Sequence, residues 1–331
     1  MAHQDTTDAA PAPRRITLED LARICGVSKI TVSRALRKSP KVRTEVRKRI
    51  EAAAIKAGYR INLAARDLRL SNRRRVGIVM DWTPNAARPM SDPYPLVLLG
   101  GAVEALATAG YAAVVTTSDP ALRAEASDTS GLILLGQGVD HHTVHEYSSL
   151  GLPLVVWGQA EAGSGDSGAV VVGSDNRLGG DQAGRYLVSR GCKRCAFLGD
   201  LRHAEMRARR DGCAEVLGAS VALIDVPSKL TSAAAEIEVE ALLARDAGID
   251  GIFAGSDLMA AGAKRAATRA RRQIAIVGYD DSPTAVAFGL TSVSQDWMGG
   301  GRLLAQTLLE LIAGQQPHPP SLPTRLVTRD T

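Results

Sequence analysis

Nine apolar runs distributed over residues 76–280 constrain the fold of this chain more than any other feature of its sequence. They are rich in Val, Ile and Leu, and they cover 76–80, 111–117, 131–136, 152–158, 169–175, 195–200, 221–226, 251–257 and 274–280. Helical stretches are predicted between most of them, over 95–109, 178–190, 204–218, 232–246 and 258–269. Continuous apolar runs that alternate with helices are typical of parallel strands covered on both faces. Residues 76–331 are therefore predicted to form two doubly wound α/β lobes, with ligands bound beyond the carboxyl ends of the strands.

The segment before these runs has the pattern of three short helices. Thr17 can cap a first helix that ends at Gly26. Ser28 can cap a second helix, and a third helix stops at Gly58. Three short helices with a tight glycine turn between the first two predict a helix-turn-helix module.

Charge is distributed unequally between the two parts of the chain. The whole chain carries a net charge of +5, but residues 1–75 contain 19 Lys and Arg against 7 Asp and Glu, a net of +12. The remaining residues are therefore mildly acidic, with a net of −7. A basic head on an acidic body indicates nucleic acid or an anionic membrane surface as partner, with a solvated basic face as the alternative. Charge alone does not decide between these possibilities.

The sequence gives no indication of export or membrane insertion. The first 15 residues carry Asp5 and Asp8 and lack the apolar core of a secretory signal, and we expect them to form a disordered tail. No stretch of about 18 apolar residues predicts a transmembrane helix. The 4 cysteines are few for a chain of 331 residues, which favours the reducing cytoplasm.

The segment GVSKITVSRAL at 26–36 resembles the LacI/GalR family of bacterial transcriptional regulators. The similarity continues through the body of the chain, in VGSDNRLGGDQAGRYLVSRGCKRCAFLGD at 172–200, FAGSDLMAAGA at 253–263, IAIVGYDDSP at 274–283 and LTSVSQDWMGGGRLLAQTLLELI at 290–312. The resemblance implies an α/β protein with an N-terminal three-helix helix-turn-helix domain plus a two-lobed, periplasmic-binding-protein-like effector domain. It implies a ligand-responsive repressor that binds operator DNA as a homodimer.

These observations divide the chain into four parts. A disordered tail is expected over 1–15, and the helix-turn-helix DNA-binding domain over 16–60. A hinge helix and linker would follow over 61–75. The effector-binding and dimerisation domain, with its two lobes, would occupy 76–331.

The family resemblance implies that the second helix enters the major groove of DNA. Lys29 and Ile30 match the positions that read bases, and Arg34 matches an arginine that reaches guanine, whose O6 and N7 a guanidinium can bond together. Short hydroxyl side chains near the helix starts suit phosphate oxygens. The expected DNA-binding residues of this module are Thr17, Ser28, Lys29, Ile30, Thr31, Ser33, Arg34 and Arg37.

Residues 59–71 resemble the family's hinge helix, which folds on DNA. Asn62 can cap a short helix there, and Ala65 and Leu68 occupy matching positions, with Leu68 as the wedge in the minor groove. A helix this short is marginal by itself in water, so we expect it to fold only on DNA. The chain departs from the family at Ile61, where members usually have proline.

The resemblance also implies a small-molecule site between the two lobes. Asp257 matches an acid that grips a sugar hydroxyl, Arg209 matches an arginine facing the cleft, and Trp297 matches an aromatic residue that stacks on the ligand. The expected effector-binding residues are Gln159, Asp175, Arg209, Asp257, Gln295 and Trp297. Carboxylate, amide and guanidinium groups beside one indole suit a neutral sugar, with a sugar acid as competitor through Arg209. For an aspartate at a strand end, capping of the next helix is the alternative role.

Two departures from the family prevent the effector from being copied from any one member. The first lobe is short between Asp119 and Gly131, where an ordinary helical crossover does not fit. The segment 81–95 is longer than the usual loop after the first strand. Its Trp82, Asp92 and Tyr94 either contact a distinctive ligand or cover the shortened lobe.

The sequence does not favour redox or metal chemistry. Cys192 and Cys195 have CxxC spacing, but no second pair accompanies them, which favours a plain helix-to-strand turn over a redox or zinc site. His141, His142 and His145 lack a second ligand cluster, which favours a solvated surface. No metal and no cofactor are therefore predicted.

Three classes of protein remain. A DNA-binding repressor accounts for the head and the body together. A small-molecule binding protein of the periplasmic kind conflicts with the basic head. An α/β enzyme is disfavoured because no GxGxxG motif follows a strand and no GxxxxGK[ST] motif occurs, so no catalytic residue is predicted. The C-terminal TRLVTRDT has no leucine heptad, which favours a dimer over a tetramer.

Overall fold

The computed structural model describes residues 16–36, 42–57, 74–82, 92–122, 126, 128–161 and 168–331. They belong to two compact units, residues 1–72 and residues 73–331. Several sequence-based expectations lie outside the described residues: the tail over 1–15, Arg37, and the hinge with Asn62, Ala65 and Leu68.

Three helices form the first unit, as the sequence predicts. They are α1 (Leu18–Cys25), α2 (Lys29–Leu36) and α3 (Thr44–Lys56). A capping box starts α1, because the Thr17 hydroxyl accepts from the Asp20 N–H at 3.2 Å while the Asp20 carboxylate accepts from the Thr17 N–H at 3.0 Å. Gly26 ends α1 with a φ of 59°, which favours glycine. The buried core of this unit consists of Leu21, Cys25, Val32, Ala35, Val42, Ile50 and Ala54.

The second unit contains two sheets, which define two lobes. The strands are β1 (Arg75–Met80), β2 (Ala112–Thr117), β3 (Leu132–Leu135), β4 (Leu154–Trp157), β5 (Val170–Val172), β6 (Arg194–Leu198), β7 (Ala222–Val226), β8 (Gly251–Ala254), β9 (Ala275–Asp280), β10 (Thr291–Ser294) and β11 (Arg325–Val327). The first lobe has the strand order β2-β1-β3-β4-β5, and the second has β11-β10-β9-β8-β6-β7. Only β11 is antiparallel to its neighbour among these described strands. The predicted doubly wound architecture is confirmed.

Helices cover both faces of each sheet. They are α4 (Pro93–Thr108), α5 (His142–Ser148), α6 (Asn176–Ser189), α7 (Ala204–Leu217), α8 (Ser232–Arg245), α9 (Asp257–Arg269), α10 (Pro283–Phe288) and α11 (Trp297–Ile312). In the shortened connection between β2 and β3, the described residues include a single 3-10 turn at Pro120–Leu122. No helix of the described residues is both long enough and apolar enough to cross a membrane.

The last long helix, α11, returns to the first lobe and packs against α4. The two helices approach closely at Gly101 and Gly301, where an added Cβ would collide with the backbone oxygen of Met298 and of Leu98 respectively. The chain therefore crosses between the lobes three times: after β5, after β10 and after α11. Two of these crossover segments are paired, because the Leu322 N–H donates to the Gly173 oxygen at 2.9 Å and the Asp175 N–H donates to the Leu322 oxygen at 2.8 Å.

Candidate nucleic-acid interface and ligand cleft

The exposed surface of α2 carries the residues that the sequence assigns to DNA. Ser28 starts the helix: its hydroxyl accepts from the Thr31 N–H at 3.2 Å and lies 2.9 Å from the Thr31 hydroxyl. Ile30 is 62% exposed and Arg34 is also exposed, whereas Val32 is buried against the other two helices. An apolar side chain with this exposure has a surface available for a thymine methyl group. The backbone of Ser33 continues α2, and its side chain lies outside the described part of the chain.

Two of the expected DNA-binding groups are already engaged within the unit. The Lys29 ammonium is paired with the carboxylate of Glu19 on α1, and this pairing lowers the pKa of Glu19. The Thr17 hydroxyl donates to the Asp20 carboxylate at 2.7 Å as part of the capping box. Lys29 must therefore leave Glu19 before it can reach a base. The sequence carries no local signal for this pair, since its members are ten positions apart.

The carboxyl ends of strands from both lobes line a cavity of about 550 Å³. This volume lies within the usual range for small-molecule sites, roughly 300–1,000 Å³. Both lobes contribute lining residues to this cavity. They include Asp81, Trp82, Tyr94, Gln137 and Thr143 from the first lobe and Asp200, Arg202, His203, Glu205 and Lys229 from the second. The position of the cleft agrees with the rule for open parallel sheets.

A smaller recess continues the cleft inward. It shares Tyr94, Gln137 and Glu205 with the main cavity. Beyond them it is lined by Trp157, Ser174, Asn176, Arg209 and Gln295. The Ser174 hydroxyl is buried and has no hydrogen-bond partner among the described residues, so a ligand oxygen could satisfy it.

Asn176 connects the two lobes at this recess. Its Nδ2 donates to Oε1 of Gln159 at 2.9 Å, and its Oδ1 accepts from Nε of Arg209 at 2.9 Å. The Tyr279 hydroxyl donates to the same Oδ1 at 3.3 Å. Gln137 in turn holds Gln159 by two bonds to its backbone, at 2.7 and 3.1 Å. A single polar network thus runs from the first lobe to the second.

Arg209 is held rigidly although it is buried. Its guanidinium lies 3.6 Å from the centre of the Tyr279 ring, and Nη1 donates to the Gly255 oxygen at 2.6 Å. Burial raises the pKa of Tyr279 to about 12, so its hydroxyl keeps its proton. Neither the bond to Asn176 nor the bond to Gly255 uses Nη2. A guanidinium group held in one orientation is suited to donate hydrogen bonds to hydroxyl or carboxylate groups of a ligand.

The structure brings three of the six expected effector residues to this recess. Arg209 and Gln295 line it, and Gln159 reaches it through Asn176. Gln295 is itself oriented, because its Nε2 donates to Oδ1 of Asp280 at 2.7 Å.

The other three expected residues lie behind the cavity wall. Asp257 is 1% exposed, and its carboxylate accepts from the Ser292 hydroxyl at 2.6 Å and the Ser282 N–H at 2.7 Å. Asp175 caps α6 through the Leu178 N–H at 2.8 Å, which is the alternative role noted for it. None of the three lines either cavity of the cleft.

Trp297 packs in the core of the first lobe rather than on the cleft surface. Its ring meets Tyr94 edge-on, with 5.6 Å between ring centroids. Its Nε1 is buried and has no hydrogen-bond partner among the described residues. Trp297 therefore supports Tyr94, which is the aromatic residue that lines both cavities.

Sequence reasoning did not include Asn176 and Gln137 among the expected effector residues, and it named Tyr94 only as one alternative, a contact to a distinctive ligand or a cover for the shortened lobe. Asn176 directly follows the apolar run 169–175, and Asp280, which orients Gln295, is the last residue of the run 274–280. Asp280 also has a φ of 111°, outside the usual range for a non-glycine residue. The role of Gln137 carries no sequence signal, because its partner is a backbone 22 positions away.

Comparisons with known proteins found matches to parts of both units. A family model described as bacterial regulatory proteins, lacI family, matches residues 17–62, and a periplasmic binding protein-like domain matches residues 185–331. The chain is 29% identical to the HTH-type transcriptional regulator CelR of Thermobifida fusca, over 96% of this chain and 98% of that protein.

Two solved structures show the same fold. A Lac repressor dimer bound to operator and the anti-inducer ONPF has a TM-score of 0.81 at 22% identity, over 96% of this chain and 98% of that one. A complex of the transcriptional regulator CelR with cellobiose has a TM-score of 0.68 at 26% identity, over 95% of this chain and 99% of that one.

Proposed function

Because this chain belongs to the LacI family of bacterial regulatory proteins, we propose that it represses transcription from an operator and that a carbohydrate in the cleft changes its affinity for that DNA. It is a DNA-binding transcriptional regulator rather than an enzyme. Its place of action is the cytoplasm, at the nucleoid. The described parts of the chain supply both a DNA-reading helix and a ligand-sized cleft.

The DNA contacts are proposed for the first unit and the segment that follows it. Ile30 and Arg34 read bases from exposed positions on α2, joined by Lys29 once it leaves Glu19. Hydroxyl groups at the helix starts and Arg37 contact phosphates, and the hinge residues Asn62, Ala65 and Leu68 enter the minor groove. A homodimer would place two copies of α2 in successive major grooves of a roughly palindromic site. The domain limits proposed are those of the sequence: 16–60, 61–75 and 76–331.

The ligand proposed for the cleft is a neutral sugar or a close derivative. Relatives include a sucrose operon repressor and ribose operon repressors, and one solved relative holds cellobiose. The network of Gln159, Asn176 and Arg209 at the recess is the observation that carries this proposal. It offers fixed donors and acceptors at short spacing, as the hydroxyls of a polyol require, and Tyr94 offers an aromatic surface beside them. Asp257, Asp175 and Trp297 act behind the wall by positioning these groups.

A sugar acid is the second candidate. The Nη2 atom of Arg209 takes part in neither of that residue's hydrogen bonds, and the ammonium of Lys229 lies on the cleft. A carboxylate on the ligand would pair with either cation. Comparing neutral sugars with their acid counterparts separates the two classes.

The test combines a ligand screen with a matched pair of arginine variants on α7. Sugars and sugar acids are screened by thermal shift, and the hits are then assayed for their effect on operator binding by fluorescence anisotropy. Arg209→Lys keeps the charge but loses the fork, and we expect it to weaken the ligand response at least tenfold. Arg210→Lys is the control, because Arg210 pairs with Asp225 within the second lobe.

Two outcomes would overturn the carbohydrate assignment. One is that only nucleobases or amino acids stabilise the protein. The other is that Arg209→Lys and Arg210→Lys respond equally to the ligand while both keep the wild-type unfolding temperature.

A further inference from the structure

Two cysteines converge beneath the surface turn that joins α6 to β6. Cys192 follows the helix and Cys195 lies in the strand, and both side chains are buried. Their Sγ atoms and a carboxylate oxygen of Asp250 all lie within 4.8 Å of one another. Only the residues around them, Gly191, Lys193 and Arg194, are exposed. The site is separate from the cleft, because it lies where β6 begins whereas the cleft lies beyond its carboxyl end.

We propose that Cys192 and Cys195 are a redox pair, a dithiol that is converted reversibly into an intramolecular disulfide. The CxxC spacing alone favours an ordinary turn. Three features of the structure favour a redox pair instead. They are the space between the two sulfur atoms, the ordered turn between the cysteines and the unequal acidity of the two thiols.

Space for the pair comes from Gly251 on the neighbouring strand β8. Gly251 is directly opposite Cys195 in the parallel register. A Cβ at this glycine would lie 2.7 Å from Sγ of Cys195 and 3.0 Å from Sγ of Cys192. Both sulfur atoms therefore lie next to the backbone of Gly251, which has no side chain to separate them.

The turn between the cysteines is ordered by Asp250. Its carboxylate accepts from the Lys193 N–H at 2.8 and 3.0 Å and from the Arg194 N–H at 2.9 Å. The Asp250 backbone oxygen accepts from the Cys192 thiol at 3.5 Å. Since the two residues between the cysteines are already held, closing the ring orders little additional chain.

The two thiols differ in acidity, as a nucleophile and its resolving partner must. The hydrogen bond from the Cys195 thiol lowers the pKa of Cys192, although burial opposes this effect. The same bond and burial raise the pKa of Cys195 well above its ordinary value. Cys192 is also the less buried of the two thiols, 4% exposed against 0% for Cys195, so it is assigned as the thiol that ionises and attacks, while Cys195 keeps its proton until the second step.

The oxidant proposed is a hydroperoxide, exemplified by hydrogen peroxide. The Cys192 thiolate attacks one peroxide oxygen, so an S–O bond forms, the O–O bond breaks, and the released hydroxide takes up the thiol's proton as water. The sulfur of Cys195 then attacks the sulfenic acid, so the S–S bond forms, the S–O bond breaks, and the Cys195 proton leaves in a second water. Two thiols lose two electrons to one peroxide, and a small dithiol reverses the change.

A bound metal ion is the competing interpretation of the same cluster. Structural zinc requires four ligands, and the described residues offer three here. The Asp250 carboxylate is also already committed to three backbone bonds. The cluster therefore fits a disulfide better than a metal ion, and metal content becomes one outcome of the test.

The experiment uses the full chain, reduced, freed of reductant and titrated with hydrogen peroxide. Free thiols are then alkylated under denaturing conditions and counted by mass spectrometry. We expect two of the 4 cysteines to escape alkylation. The fragment that spans residues 192–195 should lose two hydrogens, and dithiothreitol should restore both thiols. Cys25→Ser with Cys213→Ser should leave this loss unchanged, and Cys192→Ser should abolish it.

Gly251→Ala tests the geometry in a protein that keeps both cysteines. The added methyl group forces the sulfurs to move, so the disulfide should require at least a tenfold more oxidising glutathione ratio. Gly248→Ala is the matched control, because its Cβ would meet the flexible side chain of Arg194 at 3.1 Å instead.

Three results would overturn the proposal. All four thiols could remain alkylatable after peroxide has oxidised a reference CxxC protein. The thiol loss could persist in Cys192→Ser. One metal ion per chain could copurify with the wild type and disappear in Cys192→Ser. The fragment mass of the wild type decides the first case even if a variant fails to fold.

Discussion

Glu161 in the first lobe accepts hydrogen bonds from Nε and Nη2 of Arg207 in the second lobe, at 2.8 to 3.1 Å. His141 lies 2.9 Å from the same carboxylate. Asp140 and His141 are consecutive residues with positive φ angles, 50° and 58°. This left-handed conformation costs a non-glycine residue roughly 1–2 kcal/mol of conformational free energy. The Asp140 N–H also donates to the Arg202 oxygen of the second lobe at 3.3 Å. These contacts join the two lobes beside the cleft, which Arg202 lines. We call this set of residues the latch: Asp140, His141, Glu161, Arg202 and Arg207.

Breaking this latch should weaken ligand binding. Exposed ion pairs contribute about 0.2–1 kcal/mol, and both side chains here are about a third exposed, so Arg207→Gln should reduce ligand affinity by about twofold to fivefold. Calorimetry with the ligand found in the screen measures the change. Arg210→Gln, which breaks a pair inside the second lobe, is the control, and equal losses in both variants would contradict a latch.

The latch should also fail in acid. Although partial burial opposes the effect, bonds from His141 and Arg207 hold the pKa of Glu161 below its ordinary value of 4.5. A lowered pKa stabilises the folded state above the unfolded value, and that stability is lost as the pH falls through the folded value. The difference in unfolding free energy between wild type and Glu161→Gln should therefore shrink below about pH 4.5. A difference that stays constant from pH 7 to pH 3 would contradict this assignment.

Asp257 should give the opposite pH dependence. Burial raises its pKa from 3.8 to about 6. The folded state therefore binds its proton more tightly, and this stabilisation is present below pH 3.8 and is lost as the pH rises through 6. A rise in pKa from 3.8 to about 6 corresponds to a change of about 3 kcal/mol in the free energy of unfolding. Asp257→Asn should not show this loss, so the two unfolding free energies should diverge between pH 4 and pH 6, as denaturant titrations at each pH would measure.

We expect the Asp257→Ala substitution to act through the loss of structural hydrogen bonds to the carboxylate. Asp257→Ala leaves the Ser282 N–H and the Ser292 hydroxyl without their partner, which costs about 1–3 kcal/mol for an unsatisfied buried group. Operator affinity should stay nearly intact and the ligand response should be lost. A normal ligand response in this variant would show that Asp257 does not position the site.

Arg34 should carry base preference. Arg34→Ala should cost about 1–3 kcal/mol on the operator and relax the preference at one base pair. Arg23→Ala on α1 is the comparison, since Arg23 pairs with Asp20 and is not expected to read bases. Anisotropy titrations on operator and random DNA measure both. Equal weakening of Arg34→Ala on the two DNAs would reject base reading.

Glu19 should restrain Lys29. In Glu19→Gln the ammonium is released and one negative charge leaves the basic head, so DNA affinity should rise and its dependence on salt should steepen. Glu45→Gln removes the same charge from the first turn of α3 without releasing Lys29. Similar gains in both variants would show that only net charge matters.

The architecture and the helix proposed to read DNA were predictable from local patterns in the sequence. The apolar runs predict the strands because burial on both faces requires consecutive apolar residues, and the order of elements then leads to two lobes. The cap at Ser28 and the exposure of Ile30 follow from local chain geometry, so a pattern of a few residues suffices. The resemblance to the LacI/GalR family was accessible for the same reason, through the contiguous segment 26–36.

Which polar groups contact one another depends on how the whole chain folds. The Tyr279 hydroxyl meets Asn176 across 103 positions of sequence, and α11 returns to a lobe that the chain had left. Asp257 follows a strand, as does Asp200, which lines the cleft, yet the carboxylate of Asp257 accepts hydrogen bonds from Ser282 and Ser292. The direction of a side chain depends on the backbone packed against it. That packing is set by contacts between distant segments, which no local pattern contains.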